Sequence, residues 1–337
     1  MPSARDLSAE HSNKPDGTFN QLSAELSIIV VNWNAGELLR RSVESVVASP
    51  PSLAYEVVVV DNASSDESLA ALRACDAASA LGERLRILEN ADNRGFGRAN
   101  NQAFALTDSP LVLLLNPDTE VTRSSIDRLV ATLGSGARVG AAGPKLLNAD
   151  GSVQVSVWRN PPAAWEMLLT GLRLHKLLPR RARGELLLAE HWDYSRRREV
   201  GMLSGAAMLV RREVIEEVGG FDERFHMYGE DNEWCLRMRR AGWRLLFEPE
   251  AVVKHLGAAS SLKRWDSLEK LRVQSEAMLD FQRRCLPRRR RVANLATACF
   301  LLALQRAARR LGGRESRDVE QTLRLYAADL KRALREG

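Results

Sequence analysis

The sequence has few cysteines and lacks the glycine patterns of the common nucleotide-binding loops. Its four cysteines, Cys75, Cys235, Cys285 and Cys299, lie far apart and form no Cys-x-x-Cys pair. This spacing argues against a zinc cluster or a disulfide framework and fits a reducing cytoplasm. Neither a Walker loop nor a G-x-G-x-x-G fingerprint follows the first predicted strand. We therefore expect any bound nucleotide to be held mainly by side chains.

Long apolar runs are also missing. The longest, residues 292–304, is interrupted by Asn294 and Thr297. It is shorter than the roughly 20 residues that a membrane-spanning helix needs. Residues 1–25 are polar and have no apolar core of the kind found in signal peptides, so we predict a disordered lead.

The positive charge is unevenly distributed along the chain. Residues 261–337 contain 19 Lys and Arg against 9 Asp and Glu, whereas residues 1–260 contain 30 against 34. A nucleic-acid-binding core is therefore not expected. A basic end indicates an anionic partner surface, and the charge alone leaves membrane lipid and nucleic acid open. Arginines around the apolar run 292–304 favour a helix lying on an anionic membrane. A solvated helix pair or an oligomer interface is the alternative, and the oligomeric state stays open.

From Leu26 to Thr119 the sequence alternates apolar strands with amphipathic helices. Strands are predicted at 26–31, 55–60, 85–88 and 111–115, with helices between them, and this pattern is typical of an open, mostly parallel α/β sheet. A capping box, Ser64 to Glu67, predicts the start of the second helix, which continues towards residue 80. Residues 120–260 are less regular, with an insertion at 158–200. Short strands are predicted there at 139–143, 153–157, 206–210 and 245–247, and the segment 251–254 resembles a strand. Residues 261–337 are predicted to be a basic helical extension.

Polar residues follow all four predicted strands at the point where each apolar run ends. They are Asn32 and Asn34, Asp61 and Asn62, Asn90 and Asn93, and Asn116 and Asp118. Ligands of open parallel sheets bind beyond the carboxyl ends of the strands. Four polar ends in register therefore predict a binding site at this edge, although Asn and Asp also favour turns.

Eight motifs follow one another along residues 26–260. They are Ile28-Ile-Val-Val-Asn-Trp-Asn34, Val59-Val-Asp-Asn-Ala-Ser-Ser-Asp66, Asn93-Arg-Gly-Phe-Gly97 with Asn100, Leu114-Leu-Asn-Pro-Asp118, Ser204-Gly-Ala206, Gly220-Phe-Asp222, Tyr228-Gly-Glu-Asp231 and His255. In this order and spacing they resemble the GT-A glycosyltransferases of the family-2 type, especially the bacterial rhamnosyltransferase-like branch. The resemblance covers about residues 26–260, and it implies a nucleotide-binding half (26–119) and an acceptor and catalytic half (120–260).

On the donor side, the resemblance implies contacts to a dTDP- or UDP-sugar. Asp61 would accept the N3–H of the pyrimidine, and Gly95 and Gly97 would let the helix start approach the nucleotide. The other implied donor contacts are Asn32, Asn34, Asn93, Asn100, Asn116 and Asp118.

The resemblance also implies a divalent cation, Mg²⁺ or Mn²⁺, between the protein and the diphosphate. Asn116-Pro-Asp118 occupies the position of the family's Asp-x-Asp motif, with Asn116 as a departure from the two-acid pattern. Hard cations of this kind take carboxylate and phosphate oxygens. Asp118 is thus the expected ligand, and His255 is the expected second ligand or a diphosphate contact.

For catalysis, the resemblance assigns the general base to Asp231 and an acceptor or sugar contact to Glu230. Transfer with inversion needs one carboxylate to deprotonate the acceptor hydroxyl. By itself, an acidic pair at a helix start is as readily explained by capping and by the helix dipole.

The expected function is therefore an inverting, metal-dependent transfer of a sugar, with L-rhamnose from dTDP-rhamnose as first choice. The expected acceptor is a hydroxyl of a cell-envelope glycan or a lipid-linked glycan, and no nucleic acid is expected. We expect a cytoplasmic protein, attached peripherally to the inner face of the membrane if the tail binds lipid. The alternatives are a nucleotidyltransferase acting on sugar phosphates and a sugar-binding module without catalysis.

Overall fold

The computed structural model describes residues 24–159, 161, 163–225, 228–256, 267–313 and 317–336. Of the predicted lead, only residues 24 and 25 fall within these ranges. The strands within them are β1 (Leu26–Asn32), β2 (Tyr55–Asp61), β3 (Leu85–Glu89), β4 (Leu111–Leu115), β5 (Thr119–Val121), β6 (Val139–Leu147), β7 (Val157–Trp158), β8 (Arg198–Val200), β9 (Met202–Leu203), β10 (Ala207–Arg211) and β11 (Arg244–His255).

Most of the helices flank the sheet. They are α1 (Glu37–Ala48), α2 (Ser68–Arg73), α3 (Asp76–Leu81), α4 (Phe96–Leu106), α5 (Ser125–Leu133), α6 (Ala164–Gly171), α7 (Arg180–Leu187), α8 (Arg212–Val218), α9 (Glu230–Arg240), α10 (Ser267–Cys285), α11 (Arg288–Leu311) and α12 (Arg317–Arg335). Among these described helices, none combines the length and apolar character needed to cross a membrane.

The main sheet has the order β3-β2-β1-β4-β10-β6-β11-β5, with β8 paired to β11. Strands β3, β2, β1 and β4 are parallel, β10 is antiparallel to both its neighbours, and β6 and β11 are parallel. This confirms the predicted open, mostly parallel α/β sheet with helices on its faces.

Strand β1 shows why the sheet is central to the fold. All seven of its residues are buried. Ile28 and Val30 join the core on one face of the sheet, and Ile29 and Val31 join the core on the other. A strand buried on both faces reads as a continuous apolar run, as expected for a central parallel strand.

Several local predictions were wrong. The predicted helix from residue 64 to residue 80 is two helices, and α2 starts at Ser68 with no side-chain cap. Residues 153–157 are not a strand, since only an isolated bridge at Val153 and the two-residue β7 form there. The predicted segments 245–247 and 251–254 are parts of one strand, β11, with an irregular register between Glu248 and Val252. The insertion 158–200 contains α6 and α7.

Helices α10 to α12 pack on one another and on the rest of the protein. Leu279, Leu295 and Ala333 form a small core between them. Phe281 and Cys285 of α10 join the main core on one face of the sheet. The helical character of the C-terminal extension is thus confirmed. The extension also contacts α9, because Arg240 donates to the Cys285 carbonyl at 3.0 Å.

Candidate active site

The polar strand ends lie side by side, as the sequence predicts. Strand register pairs Asn32 with Asp61 and Asp61 with Glu89. The Asn32 side chain is fully buried, and its Nδ2 donates to Asp61 Oδ1 at 2.7 Å and to Ser68 Oγ at 2.8 Å. Asn32 therefore ties β1 to β2 from inside the protein.

Asp61 is the centre of a small hydrogen-bond network. Its carboxylate is 3% exposed, Oδ1 accepts from Ser64 Oγ at 2.6 Å, and Oδ2 accepts from the Ser64 N–H at 2.9 Å. Ser64 therefore fixes this carboxylate and does not cap a helix, which corrects the capping-box prediction. Oδ2 has one protein donor, so a lone pair is left for a ligand.

The remaining predicted donor contacts lie around this network. Asn34 is exposed and its Oδ1 accepts from the Ser65 N–H at 2.8 Å, which holds the loop after β1 against the loop after β2. Asn93 is also exposed, and its Oδ1 accepts from the Gly95 N–H at 2.9 Å. Gly95 precedes α4 with a φ of 82°, a backbone conformation that favours glycine.

Like Asn32, Asn100 and Gly97 face the interior of the protein. Asn100 is 1% exposed and its amide donates to the Phe96 carbonyl at 2.9 Å. A Cβ on Gly97 would lie 3.1 Å from Phe221 Cβ, so this glycine permits close packing of α4 against the loop after α8. A donor contact from Asn100 stays a prediction.

The end of β4 and the end of β11 bring Asn116, Asp118 and His255 together. Asp118 is 4% exposed, and its Oδ1 lies 3.3 Å from His255 Nε2. Asn116 Nδ2 lies 3.3 Å from the same nitrogen. Asn116 and His255 are 139 positions apart in sequence, and they meet because β11 pairs with β5, directly after the Asn-Pro-Asp motif.

This arrangement fits a divalent cation. His255 Nδ1 donates to Gln154 Oε1 at 2.6 Å, so Nε2 presents a lone pair towards Asp118 Oδ1, which is also an acceptor. Two acceptors 3.3 Å apart are suited to bridging by a cation. Among the described residues no group of three or more acidic, histidine or cysteine side chains is placed to hold a metal. The donor's phosphates would thus have to complete the coordination.

The acid pair at the start of α9 is held in a different way. Asp231 Oδ2 accepts from the Gly205 N–H at 3.0 Å, and Oδ1 accepts from the Asn232 N–H at 2.8 Å. Glu230 is 8% exposed, and its Oε2 has no hydrogen-bond partner among the described residues. One carboxylate is therefore anchored and its neighbour is not.

Burial and mutual proximity perturb both carboxyl groups. Burial, with the adjacent Asp231 charge, raises the pKa of Glu230 to about 8. Burial also raises the pKa of Asp231, but the N–H groups of Gly205 and Asn232 favour its ionised form. At neutral pH, Glu230 is therefore the acid that favours the protonated form, and Asp231 is the acid that favours the ionised form.

The turn at residues 204–206 contacts both the Asn-Pro-Asp motif after β4 and the acid pair at the start of α9. Ala206 accepts from the Asn116 N–H at 2.9 Å, one residue after Gly205 donates to Asp231. A Cβ on Gly205 would lie 3.4 Å from Asp231 Cβ, so the turn passes close to the acid. The Asn-Pro-Asp motif and Asp231 are therefore linked through one short segment.

Sequence reasoning missed Gln154, and it assigned Ser64 to a helix cap, whereas the Ser64 side chain binds Asp61. Gln154 lies in an irregular segment with no motif around it, so no sequence signal indicated it. Trp234 is fully buried and its Nε1 donates to the Gly219 carbonyl at 2.9 Å. It packs on Phe221 and Phe104 in the core and does not reach the site.

The fold is that of a GT-A glycosyltransferase, and the family comparison agrees. Residues 24–274 match the sequence model described as "Glycosyltransferase like family 2". The chain belongs to this family of glycosyltransferases. Sugar transfer is thus favoured over nucleotidyl transfer and over a non-catalytic binding module.

Curated relatives include enzymes of envelope glycan synthesis. The chain is 32% identical over 255 residues to the N-acetylglucosaminyl-diphospho-decaprenol L-rhamnosyltransferase of Mycobacterium tuberculosis, covering 70% of this chain and 77% of that protein. It is also 32% identical over 240 residues to an O-antigen biosynthesis protein of Myxococcus xanthus, covering 70% of this chain and 18% of that much longer protein.

Solved structures share the fold at low sequence identity. A mannosyltransferase from Pyrobaculum calidifontis, in complex with GDP-Man and Mn²⁺, has a TM-score of 0.50 and 18% identity, over 90% of this chain and 80% of that chain. GalNAc-T7 with UDP, GalNAc and Mn²⁺ has a TM-score of 0.50 and 20% identity, over 70% of this chain and 44% of that chain. This chain thus spans less than half of the second structure.

Proposed function

We propose that the protein transfers a sugar, with inversion at the anomeric carbon, from a dTDP- or UDP-linked donor to a hydroxyl of an envelope glycan or lipid-linked acceptor. L-rhamnose from dTDP-rhamnose is the first choice of donor. The 32% identity to a rhamnosyltransferase that acts on a decaprenol-linked sugar supports this choice of donor and acceptor.

The observation that carries the proposal is the link between the Asn-Pro-Asp motif and Asp231. The turn at 204–206 binds the Asn116 backbone on one side and the Asp231 carboxylate on the other. A diphosphate at Asp118 would therefore lie on the same side of the sheet as the carboxylate. A single displacement needs this arrangement, since the base must act on a hydroxyl that attacks opposite the departing diphosphate.

Each acid has a distinct role in this scheme. Asp231 accepts the proton of the acceptor hydroxyl while the oxygen attacks the anomeric carbon, and the two N–H donors keep its carboxylate oriented. Glu230 is protonated at neutral pH because its pKa is raised to about 8, so it can donate a hydrogen bond to the acceptor.

Asp118 and His255 are the residues that would hold a divalent cation, with Gln154 fixing the histidine ring. A cation bound there would supply Lewis-acid stabilisation of the leaving diphosphate. With its proton on Nδ1, His255 would offer the Nε2 lone pair to the cation in place of the Asn116 Nδ2 contact at 3.3 Å. This is the usual arrangement when a polar partner orients the ring.

The test is a donor and acceptor screen with product analysis. The protein is incubated with dTDP-rhamnose, UDP-N-acetylglucosamine and GDP-mannose, each with a short-chain polyprenyl-diphosphate-linked N-acetylglucosamine. We expect transfer from dTDP-rhamnose, and NMR of the product should show the anomeric configuration opposite to that of the donor. A product with the same anomeric configuration as the donor would contradict a single displacement. Transfer from another donor alone would contradict the assignment of rhamnose.

A further inference from the structure

One side of helix α11 exposes a row of apolar side chains to solvent, which we call the stripe. Its solvent-facing residues recur every three or four positions, which places them on one side of the helix. They are Ala293, Ala296, Phe300, Ala303, Leu304, Ala307 and Leu311. Leu311 is 92% exposed and Phe300 is 50% exposed. From Ala293 to Leu311 the stripe is about 27 Å long at 1.5 Å per residue.

A second group of exposed apolar residues lies beside this stripe. Helix α6 runs along α11, because Arg290 donates to the Pro161 carbonyl at 2.6 Å and a Cβ on Gly171 would lie 2.6 Å from Leu301. The segment that follows α6 exposes Leu172, Leu174 and Leu177, of which Leu177 is 83% exposed. We call the stripe and this segment together the α6–α11 face.

The arginines of the C-terminal helices are mostly engaged inside the protein. Arg283 pairs with Asp329, Arg306 with Glu320 and Arg309 with Asp318, while Arg288 donates to the Ala333 carbonyl. Most of the arginines around the apolar run 292–304, which the sequence indicates as lipid-binding, are therefore bound to acids or carbonyls within the protein. A lipid contact through this segment's charge alone is not supported.

Basic residues beside the α6–α11 face are different. Arg173, Lys176, Arg180, Arg181 and Arg310 are all exposed, and none has an ion-pair partner in the part of the chain that the structure describes. The single acid of α6, Glu166, is turned towards the Ala163 N–H at 3.2 Å. The face is thus apolar with a rim of free positive charge.

We infer that the α6–α11 face docks on an anionic lipid bilayer, with α11 lying in the plane of the headgroups. Exposed Phe and Leu side chains enter the headgroup and acyl boundary, and the Lys and Arg rim attracts acidic headgroups. A second copy of the chain is a poorer occupant, because two like rims of free positive charge would face each other across a twofold interface.

The face is also connected to the catalytic acid. Helix α6 follows β7, which pairs with β9, and β9 leads directly into the turn that binds Asp231. The α6–α11 face is therefore linked through β7 and β9 to the turn that holds Asp231.

Vesicle flotation of the full chain tests the inference. The apolar variant is Leu177→Ser with Phe300→Ser and Leu304→Ser, and the charge variant is Lys176→Glu with Arg180→Glu and Arg181→Glu. Wild type should float with vesicles of phosphatidylcholine and phosphatidylglycerol, and less at high salt. A surface Lys or Arg contributes about fivefold to binding of anionic membranes, so both variants should lose at least about tenfold in partitioning.

Matched controls separate this face from general surface effects. Leu106→Ser changes an exposed leucine at the end of α4. Lys331→Glu with Arg332→Glu and Arg335→Glu gives the same change in net charge at the end of α12. Both controls should bind within about twofold of wild type, and all variants should keep the wild-type melting temperature and donor hydrolysis.

Three results would overturn the inference. If the wild-type protein does not float with anionic vesicles, the bilayer is not its partner. If the face variants and the controls lose the same amount of vesicle partitioning, the α6–α11 face is not the contact. A wild-type dimer that becomes a monomer in the apolar variant, seen by analytical ultracentrifugation, assigns the face to self-association. None of these results bears on sugar transfer to a water-soluble acceptor, which tests the proposed function separately.

Discussion

The donor edge of the sheet and the acid pair of α9 bind their buried carboxyl groups differently. At the donor edge, Asp61 is bound by Asn32 and Ser64, and each of its oxygens has a protein donor. In the acid pair, Glu230 is also buried, with 8% exposure against 3% for Asp61, yet its Oε2 has no partner among the described residues.

The two carboxyl environments are suited to two different functions within one site. A carboxylate with a protein donor on each oxygen is held in a fixed orientation, so Asp61 can position a ligand through the lone pair that is left on Oδ2. A buried carboxyl without a partner carries a desolvation penalty that is relieved by a proton or by a ligand. The donor edge is thus suited to holding a nucleotide, and the acid pair to handling a proton.

The largest effect is expected from the cation site at the donor edge. Asp118→Ala removes the carboxylate that faces His255, and chelation removes the cation itself, so transfer should fall to background in both cases. Activity should return to wild type, but not to the variant, on addition of Mg²⁺ or Mn²⁺. Isothermal titration of Mn²⁺ in the presence of nucleotide checks binding directly. Full transfer in chelator would remove the cation from the mechanism.

Replacing the anchored acid should give the next largest effect. General-base assistance contributes about 10²–10⁴-fold, so Asp231→Asn should lower kcat by about that factor. Donor Kd should change little, because this carboxylate acts on the acceptor hydroxyl. Glu233→Gln is the matched control, since this acid lies on the same helix turn and pairs with Arg237. Near-normal kcat in Asp231→Asn would place the base elsewhere.

Asp61→Asn tests whether the donor edge is held by its network. The amide group would face donors from Asn32 or Ser64, and an unmatched buried pair costs about 1–3 kcal/mol. We expect the free energy of unfolding to fall by about this amount and donor Kd to rise. Urea denaturation and nucleotide titration measure the two effects. Asp76→Asn, an exposed acid on α3, should change neither.

The smallest expected effect on rate concerns Glu230, but its dependence on pH is distinctive. The folded protein retains a proton on Glu230 up to a pKa of about 8, whereas the unfolded chain releases it near 4.5. The free energy of unfolding should therefore decrease as pH rises between these values, by up to about 1.4 kcal/mol per unit.

Glu230→Gln removes this titration. Its free energy of unfolding should vary less between pH 5 and pH 8 than that of wild type, and its acceptor KM should rise with little change in kcat. Urea denaturation at pH 5, 6.5 and 8 measures the slope. Parallel slopes for variant and wild type would show that Glu230 titrates normally.

Much of the fold follows from the sequence alone. The continuous apolar run at 111–115 and the alternation of strands and helices before Thr119 determine a parallel sheet, because such strands need cover on both faces. The polar strand ends then determine which edge binds the ligand. The motifs from Ile28 to His255 are enough to indicate the family, as their order and spacing are specific.

Only the tertiary structure decides how the site is assembled. Asp118 and His255 meet because β11 pairs with β5, and Gln154 reaches the histidine from an irregular segment that carries no periodicity. The state of the acid pair depends on the Gly205 N–H, which lies 26 residues away in sequence. Likewise, the sequence alone predicts that the arginines of the C-terminal helices are exposed positive charge. In the folded protein most of them are bound to acids or carbonyls, and the α6–α11 face is exposed instead. Local pattern determines secondary structure, whereas contacts between distant residues determine which charges are free.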